Sequence, residues 1–412
     1  MTTHPPRVAV IGGYFSANMG GAAMTQVVVD HARARGAAVG VLTLYPRGDR
    51  PVAPPDVDLV PWRPQDILVS LPFALLAALL RLLRLPYGLL LRTQGLRSLG
   101  RADLIVDVAG ISFADGRDVA TLGYNVLMTG IPVLLGTPVV KASQALGPFT
   151  GLNRVAARLV LPRLRMVVAR GAATAGHLRD LGLARWTEAA DLAFALETDA
   201  AAVARAADVV DRAAGDAPFV AVVPSSVVKA YCDQHGIDYI REMGALVRGI
   251  STELQRRVLV LPHSLHPSGR EGRMHDMTVC RDVVAAAGEG HGVLVGDALG
   301  PAGLRAVIAR AEALVTSRFH AMISGLASGT PTLVVGWSHK YAEVLDEFGL
   351  QEWAVDYSHL DGATMTARTG QLLAQADSVR EAIRAGLPDV IASARRNLEA
   401  IDAALPADTR DL

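Results

Sequence analysis

Short apolar runs alternate with helix-patterned stretches along almost the whole chain, and this alternation restricts the fold more than any other feature. Runs such as Val8–Ile11 and Phe219–Val223 are apolar at every position rather than at every second one. That is the pattern of a strand covered on both faces, as in a parallel sheet with helices above and below. In the first half, strands are expected at Arg7–Ile11, Val39–Leu44, Asp103–Val108, Pro132–Leu135, Val139–Ser143 and Met166–Ala169. A second series is expected at Phe219–Val223, Arg257–Leu261, Gly292–Val295, Ala313–Thr316 and Thr332–Val335. Helices at Ile237–Glu253, Met277–Ala287, Leu304–Ala311 and Lys340–Phe348 lie between or after them. An Ala/Asp/Arg-rich segment from Thr198 to Pro218 separates the two series, and Ser378 to Ala404 carries apolar residues at helical spacing. With 412 residues, the chain has room for two to three domains of roughly 150 residues. The expected architecture is α/β, with two Rossmann-like domains facing a central cleft over residues 1–205 and 206–377. A helical tail over 378–412 is expected to pack back across both halves.

Composition narrows the function. The 40 Lys+Arg balance the 40 Asp+Glu, so no global positive field exists to hold a nucleic acid by counterion release. Cys232 and Cys280 are too few for a disulfide framework or a structural zinc site, and a reducing cytoplasm is expected. The start, Met1 to Arg7, lacks the pattern of a secretory leader. One segment, Ile67 to Leu91, looks like membrane sequence, but Arg81 and Arg84 interrupt it and Pro72 and Pro86 break its helical pattern. Its charge-free part falls short of the roughly 20 residues a span requires. Two readings stand: a buried helical hairpin, or a helix lying on the inner membrane face with its arginines at the headgroups.

In parallel α/β sheets, ligands bind beyond the carboxyl ends of the strands. The first strand empties into Gly12-Gly-Tyr-Phe-Ser-Ala-Asn-Met-Gly-Gly21. Glycines before a helix let backbone amides approach an anion, although the spacing is not the G-x-G-x-x-G of dinucleotide sites and a plain tight turn explains it as well. More informative are Ala313-Leu-Val-Thr-Ser-Arg-Phe-His-Ala-Met322 and Pro331-Thr-Leu-Val-Val-Gly-Trp-Ser-His-Lys-Tyr341. Each is an apolar strand that ends in Ser, Arg, His or Lys at the mouth of a new helix. Arg318, His320, His339 and Lys340 can therefore share one anion site with a titratable group inside it. His263 and His266 are three apart in a proline-flanked loop with no carboxylate companion, so no metal site is expected.

The runs Ser317-Arg318-Phe319-His320-Ala321 and Gly336-Trp337-Ser338-His339-Lys340-Tyr341 resemble the two most specific motifs of the polysaccharide pyruvyltransferases. Weaker matches cover Asn18 and Gly20, Asp107 and Gly110, Gln144 with Gly147-Pro148, Arg170, Asp191 with Phe194, and Pro262-His263. Two departures stand out. The chain has Gly20-Gly21-Ala22 where the family usually has Gly-Asp-Glu, and its glycine-rich stretch after the third strand is reduced to Ala109-Gly110-Ile111.

The resemblance implies transfer of pyruvate from phosphoenolpyruvate to hydroxyls of a sugar in a surface polysaccharide or glycolipid, with a cyclic ketal formed and phosphate released. Phosphoenolpyruvate is then a substrate, and no cofactor is expected. On this reading Arg318 binds one oxyanion through its planar fork and Lys340 another as a point charge, with Ser317, Trp337, Ser338, His263 and Arg170 around the donor. His320 is the expected general acid/base, and His339 assists phosphate departure. Asn18, Gly20, Asp107 and Gln144 are expected on the acceptor side, a sugar or lipid-linked glycan. An oligomer is compatible with the sequence. Two other readings remain open: a two-lobed nucleotide-sugar glycosyltransferase, and a degenerate, non-catalytic glycan-binding member, the latter motivated by Gly21 and Ala22.

Overall fold

The computed structural model describes residues 4–266, 275–336 and 339–406, with His339 described by its backbone alone. The chain forms two compact units. The first contains the residues up to Phe15, Met24–Ala195 and those from Ala392 on; the second contains Ser16–Ala23 and Leu196–Ile391.

The first unit holds a seven-stranded parallel sheet. Its strands are β1 (Arg7–Ile11), β2 (Ala38–Thr43), β3 (Asp58–Pro61), β4 (Leu104–Asp107), β5 (Val139–Gln144), β6 (Met166–Arg170) and β7 (Trp186–Ala189). They are ordered β3-β2-β1-β4-β5-β6-β7. The second unit holds β8 (Phe219–Val223), β9 (Arg257–Val260), β10 (Val293–Leu294), β11 (Ala313–Thr316), β12 (Thr332–Gly336) and β13 (Ala354–Asp356). Here the order is β10-β9-β8-β11-β12-β13, again with parallel pairing. In both sheets the order reverses beside the first strand of the unit, between β1 and β4 and between β8 and β11. Each reversal opens a crevice at the carboxyl ends of those strands.

These are the two Rossmann-like domains the alternation implies, and the central strands show why: β4, β5, β8, β11 and β12 are buried at every position. The stretch Pro132–Leu135, expected as a strand, is instead the last turn of the helix Val119–Leu135, which Gly136 ends at φ 83°. A four-residue apolar run reads the same as strand or as buried helix, and here the preceding turns decide. Thr198–Pro218 contains the helix Ala200–Ala213, capped by the Asp199 side chain on the Ala202 amide. The C-terminal helix runs over Ala376–Asp402. In the second unit its Arg380 bonds the Glu312 carbonyl at 3.2 Å. In the first, Ser393 Oγ accepts from the Ala190 amide at 3.0 Å and Asp402 pairs with His31 at 2.8 Å.

The segment read as a hairpin or a surface helix forms the helix Pro64–Leu82, followed by a short turn at Gly88–Leu90. It is not a buried hairpin. Only Ile67, Ser70, Ala74 and Ala77 are buried along the helix; Leu71 packs partly buried against the core, whereas Leu68, Leu75, Leu79 and Leu82 are at least half exposed.

Candidate active site

At the β8/β11 reversal of the second unit, a buried carboxylate collects donors from several loops. Asp276, the first residue of the helix Asp276–Ala287, is fully buried. Its Oδ1 accepts from the Ser226 amide at 3.0 Å and from the Arg318 guanidinium; its Oδ2 accepts from the amides of Ser264 at 2.8 Å and His263 at 3.3 Å. Arg318 Nη2 also donates to Ser226 Oγ at 3.1 Å. The Arg318 side chain is 9% exposed, and its Nε has no hydrogen-bond partner among the described residues. A buried guanidinium is tolerated because its counter-charge is fixed and itself hydrogen-bonded; an unsatisfied donor beside that pair is costly unless a ligand takes it. Ser317 sits deeper. Its Oγ accepts from the Tyr239 hydroxyl at 2.9 Å, its carbonyl from the Tyr341 hydroxyl at 3.3 Å, and its amide donates to the Val223 carbonyl. Burial raises the Tyr239 phenol far above its usual range, so it remains a donor.

The first-loop residues belong to this same unit. Asn18 forms an antiparallel bridge with Ser264, the Met19 amide donates to the His263 carbonyl at 3.1 Å, and the Leu265 amide to the Ala17 carbonyl at 2.7 Å. Asn18 Oδ1 accepts from the Gly20 amide at 2.9 Å. The geometry explains Gly20: a Cβ there would lie 2.1 Å from His320 Nδ1, inside the ring's own volume. The half-buried His320 ring thus lies flat against the start of the helix Met19–Ala34, with Phe319 edge-on at 5.2 Å. Ala22 is fully buried at that helix start, so the methyl group occupies a position where a carboxylate would be out of water.

His263 is buried, and desolvation holds its imidazole well below the usual histidine range, helped by the positive fields of His320 and Arg318. It is neutral at pH 7. Lys340 is half-buried, with Nζ 5.3 Å from the centre of the Phe319 ring. Trp337, Ser338 and the His339 side chain, all expected at the donor site, lie outside the described residues.

The β1/β4 reversal of the first unit carries a second buried ion pair. Asp107 accepts from Lys141, from Thr129 Oγ1 at 3.1 Å, from Gln144 Nε2 at 2.8 Å and from the Ala109 amide at 3.1 Å. Gln144 in turn accepts from Ser112 Oγ. Asp107 and Gln144 are therefore bound to one another and to their neighbours. Beside them opens a cavity of about 250 Å³ lined by Gly12, Tyr14, Arg117, Tyr124, Asn125 and Lys141, among others. Burial lowers the Lys141 ammonium and raises the Tyr124 phenol, the second helped by the Asp107 charge. Arg170, expected at the donor, lies in this first unit and pairs with Asp191 at 2.8 Å.

Asp276, Tyr239 and Lys141 escaped the sequence reading. Lys141 left a signal, a lone cation inside an otherwise buried strand. Asp276 left only an acidic residue in the first turn of a helix, which many surface helices share.

Comparison with known proteins fits this geometry. The family model described as polysaccharide pyruvyl transferase matches residues 18–339, a span that includes the Asn18, Asp107, His263 and Arg318 loops. The chain belongs to that family. Among solved structures, this pyruvyl transferase is similar in fold to a glycosyltransferase from Rickettsia africae. The two share 12% identity, with 98% of this chain and 100% of the other covered and a TM-score of 0.58. It is also similar to a putative UDP-N-acetylglucosamine 2-epimerase from Listeria monocytogenes, at 12% identity, 97% and 96% coverage and a TM-score of 0.60. A UDP-GlcNAc 2-epimerase from Neisseria meningitidis aligns at 9% identity over 96% of this chain and 100% of its own, with a TM-score of 0.55. No curated protein sequence matches the chain.

Two stability predictions follow from the buried groups. Asp276→Asn removes the counter-charge of a buried arginine and should cost about 3–5 kcal/mol, read from urea unfolding at pH 7; a loss under about 1 kcal/mol would mean the pair is not structural. For His263, the unfolded chain takes up a proton near pH 6.5 and the folded chain does so only at much lower pH. Between those values the unfolded state binds more protons, so stability falls as the pH drops below about 6.5, by up to about 1.4 kcal/mol per pH unit. His263→Gln should flatten this acid limb relative to wild type in denaturation measured from pH 7 to 5.

Proposed function

We propose that this pyruvyl transferase takes pyruvate from phosphoenolpyruvate and ketalises two hydroxyls of one sugar. The donor's methylene carbon gains a proton and becomes a methyl group, the neighbouring carbon gains oxocarbenium character, and a sugar hydroxyl adds to it. Phosphate leaves with the electron pair of its C–O bond, and a second hydroxyl of the same sugar closes the ketal. Of the two protons the hydroxyls lose, one balances the proton delivered to carbon and the other leaves with the phosphate.

The observation that carries this reading is the Arg318 guanidinium, held by Asp276 and Ser226 with Nε unsatisfied beside two imidazoles. Because Asp276 neutralises most of that charge, a donor that carries both a carboxylate and a phosphate needs further positive groups. Lys340 and the amino ends of the helices Ser226–Gln234 and Phe319–Ala327 are the groups at this end of the sheet that supply them. His320 is the proton donor to carbon. The neutral His263 is suited to accept a proton or a hydrogen bond rather than to carry charge. The cavity beside Asp107 and Lys141 is the acceptor subsite of this reading, near the lower end of small-ligand sites in size and lined with hydroxyl, amide and guanidinium groups. The free, buried Cys232 and Cys280 suit a reducing compartment, and the reading has the reaction in the cytoplasm.

Calorimetry with phosphoenolpyruvate tests the donor site. Wild type should bind it, and Arg318→Lys should lose at least about tenfold in affinity despite the retained charge, because the planar fork is gone. Near-normal binding by that variant, or binding of a uridine nucleotide in place of phosphoenolpyruvate, would overturn the donor assignment. For the chemistry, His320→Gln should lower turnover by about 10² to 10⁴, followed as phosphate release with a glycan acceptor, while donor affinity changes little. Equal losses in both would make His320 a positioning residue.

A further inference from the structure

The helix Pro64–Leu82 is the one helix among the described residues long and apolar enough to cross a bilayer by length and composition. Its buried stripe, Ile67, Ser70, Ala74 and Ala77, is part of the first unit's core, which keeps it on the surface of the domain. On its outward side Leu68, Leu75 and Leu82 are 62%, 53% and 80% exposed, and they recur every seven residues, so they share one face. Leu89, in the turn that follows, is 90% exposed.

The pattern extends beyond this helix. In the same unit, Pro64–Leu82 packs against the apolar helix Val119–Leu135, which packs against Gly151–Val160. That third helix shows its own outward stripe of Leu152, Val155 and Leu159 at helical spacing, with Leu152 67% exposed. Large apolar side chains exposed in this number on two helices that share a neighbour mark an interaction surface. The charge on the layer is equally one-sided. Arg81, Arg84, Arg92, Arg154, Arg158 and Arg163 are exposed, whereas the only acid from 64 to 102 is Asp66, bonded to Arg63, and 119–165 contains none, the nearest being Asp118, which caps Val119–Leu135 on the Thr121 amide. The chain as a whole is neutral, so this local excess is not a by-product of a basic composition.

We propose that this three-helix face of the first unit rests on an anionic lipid bilayer, its leucines below the headgroups and its arginines among the lipid phosphates. A second copy of the chain is the poorer occupant. In a twofold dimer the face would meet itself, and its arginines would find arginines rather than carboxylates. The inference rests on the first unit's surface alone and is independent of the donor chemistry.

The test uses the full chain, without acceptor or donor, in co-sedimentation with vesicles of phosphatidylglycerol and phosphatidylcholine and with vesicles of phosphatidylcholine alone. Wild type should partition onto the mixed vesicles at least about tenfold better, and high salt should release it. Leu75→Glu with Leu79→Glu should cut partitioning by at least about tenfold. Leu89→Glu, outside the helix and in full contact with water, should cut it several-fold with no effect on melting, and Arg84→Gln should cut it about fivefold. The proposal is overturned if wild type stays in the supernatant at low salt. It is equally overturned if Leu89→Glu and Arg84→Gln both bind as wild type does, or if sedimentation velocity shows a dimer that the double variant dissociates.

Discussion

Asp276 has no contact with water, yet it is the point at which the loops at the carboxyl end of the second sheet are joined. Its two oxygens bind the amide that opens the helix after β8, the two amides that follow β9, and the guanidinium that follows β11. Three loops that are remote in sequence are thus fixed by one side chain. A charge in that position would cost several kcal/mol if it were alone, and the ring of donors offsets the penalty. The first-loop segment is attached to the same scaffold through its backbone bonds to His263 and Leu265, and this brings Gly20 under the His320 ring. The site therefore depends on a buried ion pair for its shape before any ligand enters.

The first unit uses the same device at the equivalent place. Asp107 at the end of β4 holds Lys141 of β5, with Thr129 and Gln144 completing the shell. The two pairs are left in different states. Lys141 is wholly enclosed and its ammonium is weakened by burial, whereas Arg318 keeps an unsatisfied Nε beside two histidines. One pair supports the wall of a cavity that Tyr14, Tyr124, Asn125 and Arg117 also line; the other presents an unsatisfied guanidinium N–H.

Much of this was legible in the sequence because it is written locally. All-apolar runs followed by helix patterns announced two parallel sheets, and the polar residues after the strands announced which side chains would gather at the sheets' carboxyl ends. Arg318, His320 and His263 do meet at one end of the second sheet, although Arg170 lies with Asp191 in the first unit. The strands that went unread, Asp58–Pro61, Trp186–Ala189 and Ala354–Asp356, are edge strands. Each is short and carries polar residues, since an edge is not enclosed on both faces and its residues lose the signature of burial.

The sequence by itself determined the fold class and the family, because hydrophobic periodicity and motif spacing are properties of neighbouring residues. Tertiary structure alone decided which carboxylate holds which cation, since Asp276 and Arg318 are brought together by strand order and no local pattern links them. It decided that Pro132–Leu135 ends a helix, that residues 16–23 belong with the second unit, and that Gly20 has to be glycine to admit His320. It also decided the fate of the leucines from 67 to 91. An apolar side chain carries the same sequence signal in a core or on a surface, and only the packing of one stripe into the first unit's core, against the helix Val119–Leu135, left the other stripe facing water.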